Sequence, residues 1–254
     1  QEGIANHQVR DFEAVAYSRN LRPAAEALKL SEVPTGTTGG YLRGVRRYYT
    51  WLPGNGKQTV RIPLTAKAGI IYTNRGSAEI TLQPFDGHLF PEDLTEDNPP
   101  EYLSTAAVPP DKAEHAVVLE GRGGLNLVQI SDRSAGTQVT WEDGLPMTIE
   151  SSMERPATLH TRWTLYFYVP RGTQFIGGFS DGEGRLVDPI GNVVYNFSRE
   201  AGYFRIPVPE GQDGKLWKFD RSVGKRILMT VPPYLARNEK ELLLPIEVIE
   251  RDRQ

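Results

Sequence analysis

The sequence predicts an all-β protein made of two tandem β-sandwich units behind a short irregular N-terminal segment. Stretches that alternate apolar and polar residues recur over most of residues 41–232, and this two-residue period is typical of strands. The 25 Gly and 19 Pro residues are scattered between these stretches, as expected for many turns. We assign 1–40 to an N-terminal extension, 41–150 to the first unit and 151–254 to the second. A single larger sandwich is the alternative.

The N-terminal extension shows no strand pattern. Residues 22–32, RPAAEALKLSE, are rich in Ala, Glu, Leu and Lys and carry a proline in the first turn, which favours a short helix. Residues 33–40, VPTGTTGG, interrupt any periodic element and predict a linker.

The first unit begins with an aromatic strand and an alternating one. RRYYTWL stops at the turn sequence PGNG, and in the following QTVRIPL the apolar residues Val60, Ile62 and Leu64 share one face. Residues 86–111 hold five prolines and many acidic residues, which predicts a long loop. Three further strands are predicted between this loop and residue 150.

The second unit contains strand-like stretches at a spacing of roughly 8–12 residues, which is typical of a sandwich or barrel. DPIGN (188–192), between Val187 and Val193, has the chemistry of a hairpin turn. Near the C-terminus, residues 235–242 predict one helical turn, and IEVIE (246–250) predicts a last strand.

One pattern occurs in both units: an aromatic strand that ends at a proline and a glycine-containing turn. Aligning Pro53 with Pro170 places Tyr49 on Tyr166, and each copy continues into an alternating strand. We interpret the two units as similar in plan, with convergence as the alternative because aromatic residues are common in strands.

The formal net charge of −3 is unevenly distributed. Residues 1–75 carry 11 Lys/Arg against 5 Asp/Glu, residues 76–160 carry 4 against 15, and residues 161–254 carry 14 against 12. This segregation predicts contact between the basic segment 1–75 and the acidic segment 76–160, either within one chain or by self-association. Interleaving of the two segments on folding is the alternative.

Composition excludes several classes. The chain has no Cys, so disulfides, thiol nucleophiles and cysteine metal sites are excluded. No apolar run approaches the roughly 18 residues of a transmembrane helix, so no membrane span is predicted. Net acidity and the absence of a binding motif argue against nucleic acid as a partner. The chain begins at Gln1 rather than Met, which either a removed leader or a trimmed chain explains.

An acidic stretch predicts a metal site. Asp86, Glu92, Asp93 and Asp97 lie on the loop that begins at residue 86. Clustered carboxylates suit Ca²⁺, which takes several oxygen ligands. The alternative is a solvated acidic loop, because no complete calcium-loop motif is present.

A serine-hydrolase motif is matched by GFSDG (178–182), but we interpret the match as accidental. That motif requires a helix after the serine and a histidine later in the chain. Gly184 and Pro189 exclude the helix, and the last histidine, His160, precedes Ser180.

Aromatic residues suggest a binding surface. The four tryptophans lie in or near predicted strands, together with several tyrosines that include Tyr195 and Tyr203. Apolar faces of sugar rings stack on such side chains. Trp217, flanked by Lys215 and Lys218, and Trp141, beside Glu142 and Asp143, are therefore our candidates for an exposed carbohydrate-binding platform, with burial in the core as the alternative.

Residues 160–232, from LYFYVPRGTQF through VDPIGNVV to KLWKF, resemble the jelly-roll accessory modules of secreted bacterial glycan-degrading and surface proteins. The resemblance lies in strand and turn texture and covers the second unit better than the first. It implies a jelly-roll-like plan, export to an extracellular or periplasmic location, and a non-catalytic role.

Three functions are therefore compared. The first is a carbohydrate-binding or accessory β-sandwich protein, the second a structural subunit of an extracellular or cell-surface assembly, and the third a polysaccharide-active enzyme. The balance leans away from an enzyme, because the adjacent Glu142 and Asp143 would point to opposite faces of a strand.

Overall fold

A computed structural model describes residues 10–56, 58–87, 90 and 104–253. Strands account for 50% of the structure and helix for 3%, which confirms the predicted all-β class. Within the described residues, no helix has the length and apolar character needed to cross a bilayer.

The described part of the chain contains seventeen strands and one short helix, numbered in chain order. The strands and the helix are β1 Leu21–Pro23, β2 Val45–Leu52, β3 Thr59–Ala68, β4 Ala78–Pro84, β5 Ser104–Val108, β6 His115–Arg122, β7 Gly124–Ser131, β8 Thr137–Trp141, β9 Ile149–Glu150, β10 Ala157–Val169, β11 Phe175–Ser180, β12 Gly184–Val187, β13 Val193–Phe197, β14 Gly202–Pro207, β15 Lys215–Leu228, β16 Tyr234–Leu235, β17 Leu243–Pro245 and α1 Ile246–Asp252.

Strands of the first half pair with one another in two antiparallel sheets. One sheet has the order β2-β7-β4-β5 and the other β6-β3-β8. The predicted alternation in β3 is confirmed, because Ile62 and Leu64 are buried while Arg61 and Pro63 are exposed. Buried side chains from both sheets belong to the same apolar cluster.

Strands of the second half form a six-stranded antiparallel sheet around β15. The long β15 pairs with β10 along one side and with β12 and β11 along the other. β13 pairs with β12, and β14 pairs with β11. Residues 175–187, which contain β11 and β12, therefore form one interrupted strand. Residues 193–207, which contain β13 and β14, form a second interrupted strand beside it. The predicted hairpin turn at DPIGN is confirmed, since it joins β12 to β13.

The two halves meet along a short antiparallel pair, β9 with β16. On one side, Tyr49 exchanges backbone hydrogen bonds with Thr148, and on the other, Tyr166 does the same with Ala236. Tyr49 and Tyr166 are the residues that the sequence alignment of the two halves placed on each other. The repeated aromatic strands therefore occupy matching positions on either side of the junction.

Apolar clusters lie on both faces of the layer that contains this junction. One face buries Tyr48, Phe167 and Trp217 in the main core. The other buries Tyr49, Tyr166 and Tyr168 in a second cluster, which is covered by β1, β17 and α1. The two chain ends pair with each other through β1 and β17, so they form the lid of this second cluster.

Three local predictions are wrong. Residues 235–242, predicted as a helical turn, hold the end of β16 and a non-helical turn. In place of the helix predicted over 22–32, residues 21–23 form β1 and hydrogen-bonded turns follow, in which Leu28 N donates to Ala24 O and Leu30 N to Ala25 O. The predicted last strand, 246–250, is the helix α1. Residues 21–23 pair with β17, which prevents the predicted helix from starting there. Helix α1 forms at 246–252 because a helix buries Val248, Ile249 and Asp252 on one face.

The basic and acidic segments interleave within the fold. Strands β2 and β3 of the basic segment pair with β7 and β6 of the acidic one. Arg19 bonds Glu150 and Glu154 at 2.8 and 2.7 Å, and Arg61 bonds Glu120 at 3.2 Å. The predicted contact between the segments is therefore made within the chain in these places, and self-association through them stays a prediction.

Candidate functional site

A groove opens where the two outer strands of the second half are interrupted. Between β11 and β12 the chain bends at residues 181–183, and between β13 and β14 it bends at residues 198–201. The groove has a volume of about 540 Å³, within the usual range for small-ligand pockets. We call it the tyrosine groove; its lining residues are Ser180, Tyr195, Phe197, Ser198, Glu200, Ala201, Gly202, Tyr203 and Phe204.

A buried arginine supports the interruption from beneath. The Arg226 guanidinium donates to the carbonyl oxygens of Gly182 at 2.9 Å and Glu183 at 2.6 Å, and it lies 4.6 Å from the Phe197 ring centroid. Burial lowers the pKa of Arg226 to about 10, so the side chain stays charged at neutral pH. The Glu183 carbonyl also accepts a hydrogen bond from the Val223 amide and the Gly182 carbonyl one from the Ser180 hydroxyl, so Arg226 adds a further bond to each carbonyl at the bend.

The walls and floor of the groove are aromatic. Phe197 and Phe204 are buried and meet edge to face at 5.1 Å. Tyr195 packs on Phe197 at 5.0 Å and remains 40% exposed, and Tyr203 remains 37% exposed. Tyr195, on the buried Phe197, and Tyr203, whose ring meets the half-buried Phe179 at 5.5 Å, both line the cavity and reach solvent.

Polar groups stand beside these rings. The Glu200 side chain is exposed and makes no hydrogen bond or ion pair with any described residue, and Ser198 accepts a hydrogen bond from the Glu200 amide at 3.3 Å. A carboxylate oxygen and a serine hydroxyl next to exposed rings can bond the hydroxyl groups of a ligand while the rings contact its apolar face.

The predicted exposure of Trp217 and Trp141 is wrong. Trp217 is 0% exposed, because its side chain packs in the main core, and its indole N–H donates to Gln212 O at 2.9 Å. Trp141 is 7% exposed and donates to Glu241 at 3.2 Å, while Arg237 stacks on it at 4.4 Å. The C-terminal tail covers Trp141, and nothing near this residue in the sequence indicates that contact.

The tyrosine groove was not singled out from the sequence, although its signal was present. VVYNF and GYFR place aromatic residues on either side of the polar turn SREA. Two aromatic strands on either side of a polar turn form a binding site only if both line the same cavity. The sequence gives no information about which strands line a common cavity.

The predicted calcium site lies mostly outside the described residues. Glu92, Asp93 and Asp97 fall in the undescribed stretch, and Asp86 is described and exposed. Among the residues that the structure describes, no group of three or more His, Asp or Glu side chains is arranged to hold a metal ion. Calcium binding by the loop stays a prediction.

One pair of carboxylates lies near a second cavity of about 250 Å³, but both are engaged. Glu150 accepts hydrogen bonds from Arg19, from the Tyr49 hydroxyl at 2.6 Å and from Ser152 at 2.6 Å. Glu154 bonds the same Arg19, which holds the pKa of Glu154 below its usual value. This cluster joins the N-terminal extension to the junction between the halves.

The interpretation of GFSDG as an accidental match is supported by its surroundings. The Ser180 hydroxyl bonds the Gly182 carbonyl at 3.2 Å, and β12 follows at Gly184 in place of a helix. Ser180 therefore closes the local turn beside the groove.

In comparisons with family models, with curated proteins and with solved structures, nothing matches this chain.

Proposed function

We propose that the chain is a non-catalytic carbohydrate-binding or accessory module of an exported system, and that its ligand site is the tyrosine groove. The proposal keeps the function expected from the resemblance to accessory modules of secreted proteins. It moves the binding platform from Trp217 and Trp141 to Tyr195 and Tyr203.

The observation that carries the proposal is the pair of exposed tyrosines beside an unengaged carboxylate. Both rings pack on an aromatic neighbour, Phe197 for Tyr195 and Phe179 for Tyr203, so they lose little conformational freedom on binding. Glu200 and Ser198 supply the hydrogen-bonding groups that a sugar requires around a stacked ring. Glu150 and Glu154, the pair of carboxylates near the second cavity, are both bonded to Arg19. Because neither is free to act as an acid or base, the structure favours a binding role over a catalytic one.

Binding to an array of neutral oligosaccharides, followed by calorimetric titration of the best ligand, tests this proposal. Tyr195→Ala and Tyr203→Ala should each weaken binding about tenfold, the loss expected for one stacked ring. Val118→Ala is the control, because Val118 is 55% exposed on β6 and lies outside the groove. Unchanged affinity in both groove variants would refute the site.

A second function, a structural subunit that pairs with copies of itself, is favoured by the outer edge strand β13. Its sequence, VVYNF, carries no charge and no proline. Ile190, in the turn before it, and Val193, its first residue, are 67% and 44% exposed. Edge strands that stay single usually carry charges or prolines that prevent pairing with another chain. β13 lacks both kinds of protection.

Mass measurement in native solution over a range of concentrations separates the two functions. A structural subunit should form dimers or larger assemblies that Val193→Lys returns to monomers. A monomer at every concentration, with glycan binding intact, would leave only the carbohydrate-binding function.

A further inference from the structure

Two arginines flank an exposed tyrosine on the first half of the chain, and a third lies in the turn beside them. The guanidinium groups of Arg75 and Arg43 lie 4.1 and 6.0 Å from the Tyr72 ring centroid. Arg75 also donates to the Arg133 carbonyl oxygen at 3.2 Å, and both Arg75 and Arg133 are exposed. We call this group, Arg43, Arg75 and Arg133 around Tyr72, the arginine surface.

The arginine surface is held in place by one buried carboxylate. Asp132 accepts hydrogen bonds from the backbone amides of Gly44, Ser134 and Gly136 at 2.6, 2.8 and 2.8 Å. It thereby fixes the turn that carries Arg133 and the segment that carries Arg43.

Backbone bonds then attach the remaining loop to this turn. Ile71 and Tyr72 both donate to Ala135 O, at 2.9 and 3.0 Å. The positions of Tyr72 and Arg75 are thus set by the same turn as Arg133.

Arg133 occupies a left-handed backbone conformation. Arg133 and Ser134 have φ values of 48° and 62°, and Ala135 N donates to Asp132 O at 2.8 Å. Two successive left-handed residues in such a turn favour Asn and Gly. Lys29, Lys112 and Arg221 have similar φ values elsewhere, so this conformation does not by itself mark a binding residue.

The positive charge of this region is not neutralised locally. None of the three arginines forms an ion pair with a residue in the described ranges, and the carboxylate of Asp132 is buried. Arg46, also buried, bonds only the Thr158 carbonyl and the Trp163 ring among described groups. Burial and the charges of Arg46 and Arg43 lower the pKa of nearby His160, and the charge of Asp132 opposes them.

We propose that the arginine surface binds the sulfate or carboxylate groups of an acidic polysaccharide. Guanidinium groups bind such oxyanions with two parallel hydrogen bonds, and Tyr72 together with Ile71, 40% and 38% exposed, offers an apolar contact for the sugar rings. The inference rests on the proposed glycan-binding function and adds an acidic class of glycan at a surface separate from the tyrosine groove. The sequence contains no nucleic-acid-binding motif, which makes a nucleic acid the weaker candidate.

Titration with dextran sulfate, with neutral dextran and with a single-stranded thymidine oligonucleotide of matched charge tests the inference. Dextran sulfate should bind at least about tenfold more tightly than dextran at low salt, and the difference should shrink at high salt. Absence of dextran sulfate binding, or equally tight binding of the oligonucleotide, would overturn the inference.

Substitutions in the arginine surface test whether dextran sulfate binds there. Arg75→Gln and Arg133→Asn should each weaken dextran sulfate binding about tenfold, as expected for loss of a charge-assisted hydrogen bond. Arg133→Asn should also raise the melting temperature, because Asn tolerates the left-handed conformation, so weaker binding cannot be attributed to unfolding. Arg253→Gln, at an exposed arginine directly after α1, is the matched control and should bind normally.

The same titrations distinguish the two proposals. If Tyr195→Ala abolishes dextran sulfate binding while Arg75→Gln and Arg133→Asn keep it, the inference fails and the tyrosine groove stands. If the arginine variants lose binding while Tyr195→Ala and Tyr203→Ala keep every glycan interaction, the inference stands and the groove proposal fails.

Discussion

At the scale of single residues, burial divides the aromatic side chains into two groups. Trp163 and Trp217 are 1% and 0% exposed, whereas Tyr195 and Tyr203 are 40% and 37% exposed. A buried tryptophan contributes its large apolar area to the core, and an exposed tyrosine contributes little to stability. Replacement of the two kinds of residue therefore has opposite consequences for folding and for binding.

Trp217→Ala is expected to lower the free energy of unfolding by about 3–5 kcal/mol, because it leaves a cavity beside Phe167 and Phe219. Tyr203→Ala should lower it by less than about 1 kcal/mol, because that ring is partly in solvent. Urea denaturation measures both. A Trp217→Ala protein as stable as the unsubstituted chain would contradict the buried position of this residue.

Buried tyrosines predict the behaviour at alkaline pH. Burial raises the pKa of Tyr48 to about 12, and it also raises the pKa values of Tyr49, Tyr168 and Tyr234. In the unfolded chain these groups ionise near pH 10, so above that pH the unfolded state binds fewer protons than the folded state. Stability should therefore be complete below about pH 10 and fall as the pH rises further.

Each buried tyrosine should contribute about 1.4 kcal/mol per pH unit to this fall. Tyr48→Phe removes one ionising group, so its stability curve should be less steep between about pH 10 and pH 12. Urea denaturation at a series of alkaline pH values measures the slope. An identical slope in Tyr48→Phe would show that Tyr48 ionises equally easily in the folded state.

At the scale of elements, the C-terminal helix α1 shows how tertiary contacts override local preference. Its sequence, IEVIERD, is rich in β-branched residues that favour a strand. Its last acidic residue, Asp252, accepts hydrogen bonds from the Tyr168 hydroxyl at 2.9 Å and from Arg171 N at 2.8 Å. The helical conformation brings Asp252 to the end of β10 while Val248 and Ile249 pack on the second cluster.

Asp252→Ala should destabilise the protein by about 1–3 kcal/mol, because the Tyr168 hydroxyl and the Arg171 amide lose their acceptor. Thermal unfolding followed by circular dichroism measures the effect. Arg253→Ala, the next residue and an exposed one, is the control and should change stability by less than about 0.5 kcal/mol. Equal melting temperatures for the two variants would argue against the bond to Tyr168.

At the scale of the whole molecule, contacts across the junction connect the two halves. The main core contains buried residues from both halves, and the paired chain ends cover the second cluster. Glu241 in the tail is fully buried, is paired with Arg237 and also accepts a hydrogen bond from Trp141 of the first half. The free energy of folding is therefore shared between the halves.

We expect the chain to unfold in one cooperative transition. Because removal of either half would expose the core of the other, no stable half-folded state should be populated. Differential scanning calorimetry should give a calorimetric enthalpy equal to the van't Hoff enthalpy. Two separated transitions would contradict this and would support two independently folding units.

Local periodicity in the sequence determined the all-β class, the turn at DPIGN and the strand β3 with its buried face. These features depend on residues within a few positions of one another, so the local sequence pattern is enough to predict them. The match of Tyr49 with Tyr166 was also present in the sequence, because it depends only on the repeated order of residues.

Only the tertiary structure decided which aromatic residues reach solvent and where binding groups gather. Trp141 is buried by a tail about 100 residues further along the chain, as its hydrogen bond to Glu241 shows. The arginine surface joins residues 43, 75 and 133, which no local pattern links. Burial and the clustering of charged side chains depend on contacts between residues that are distant in the sequence. Local hydrophobic periodicity carries no information about such contacts.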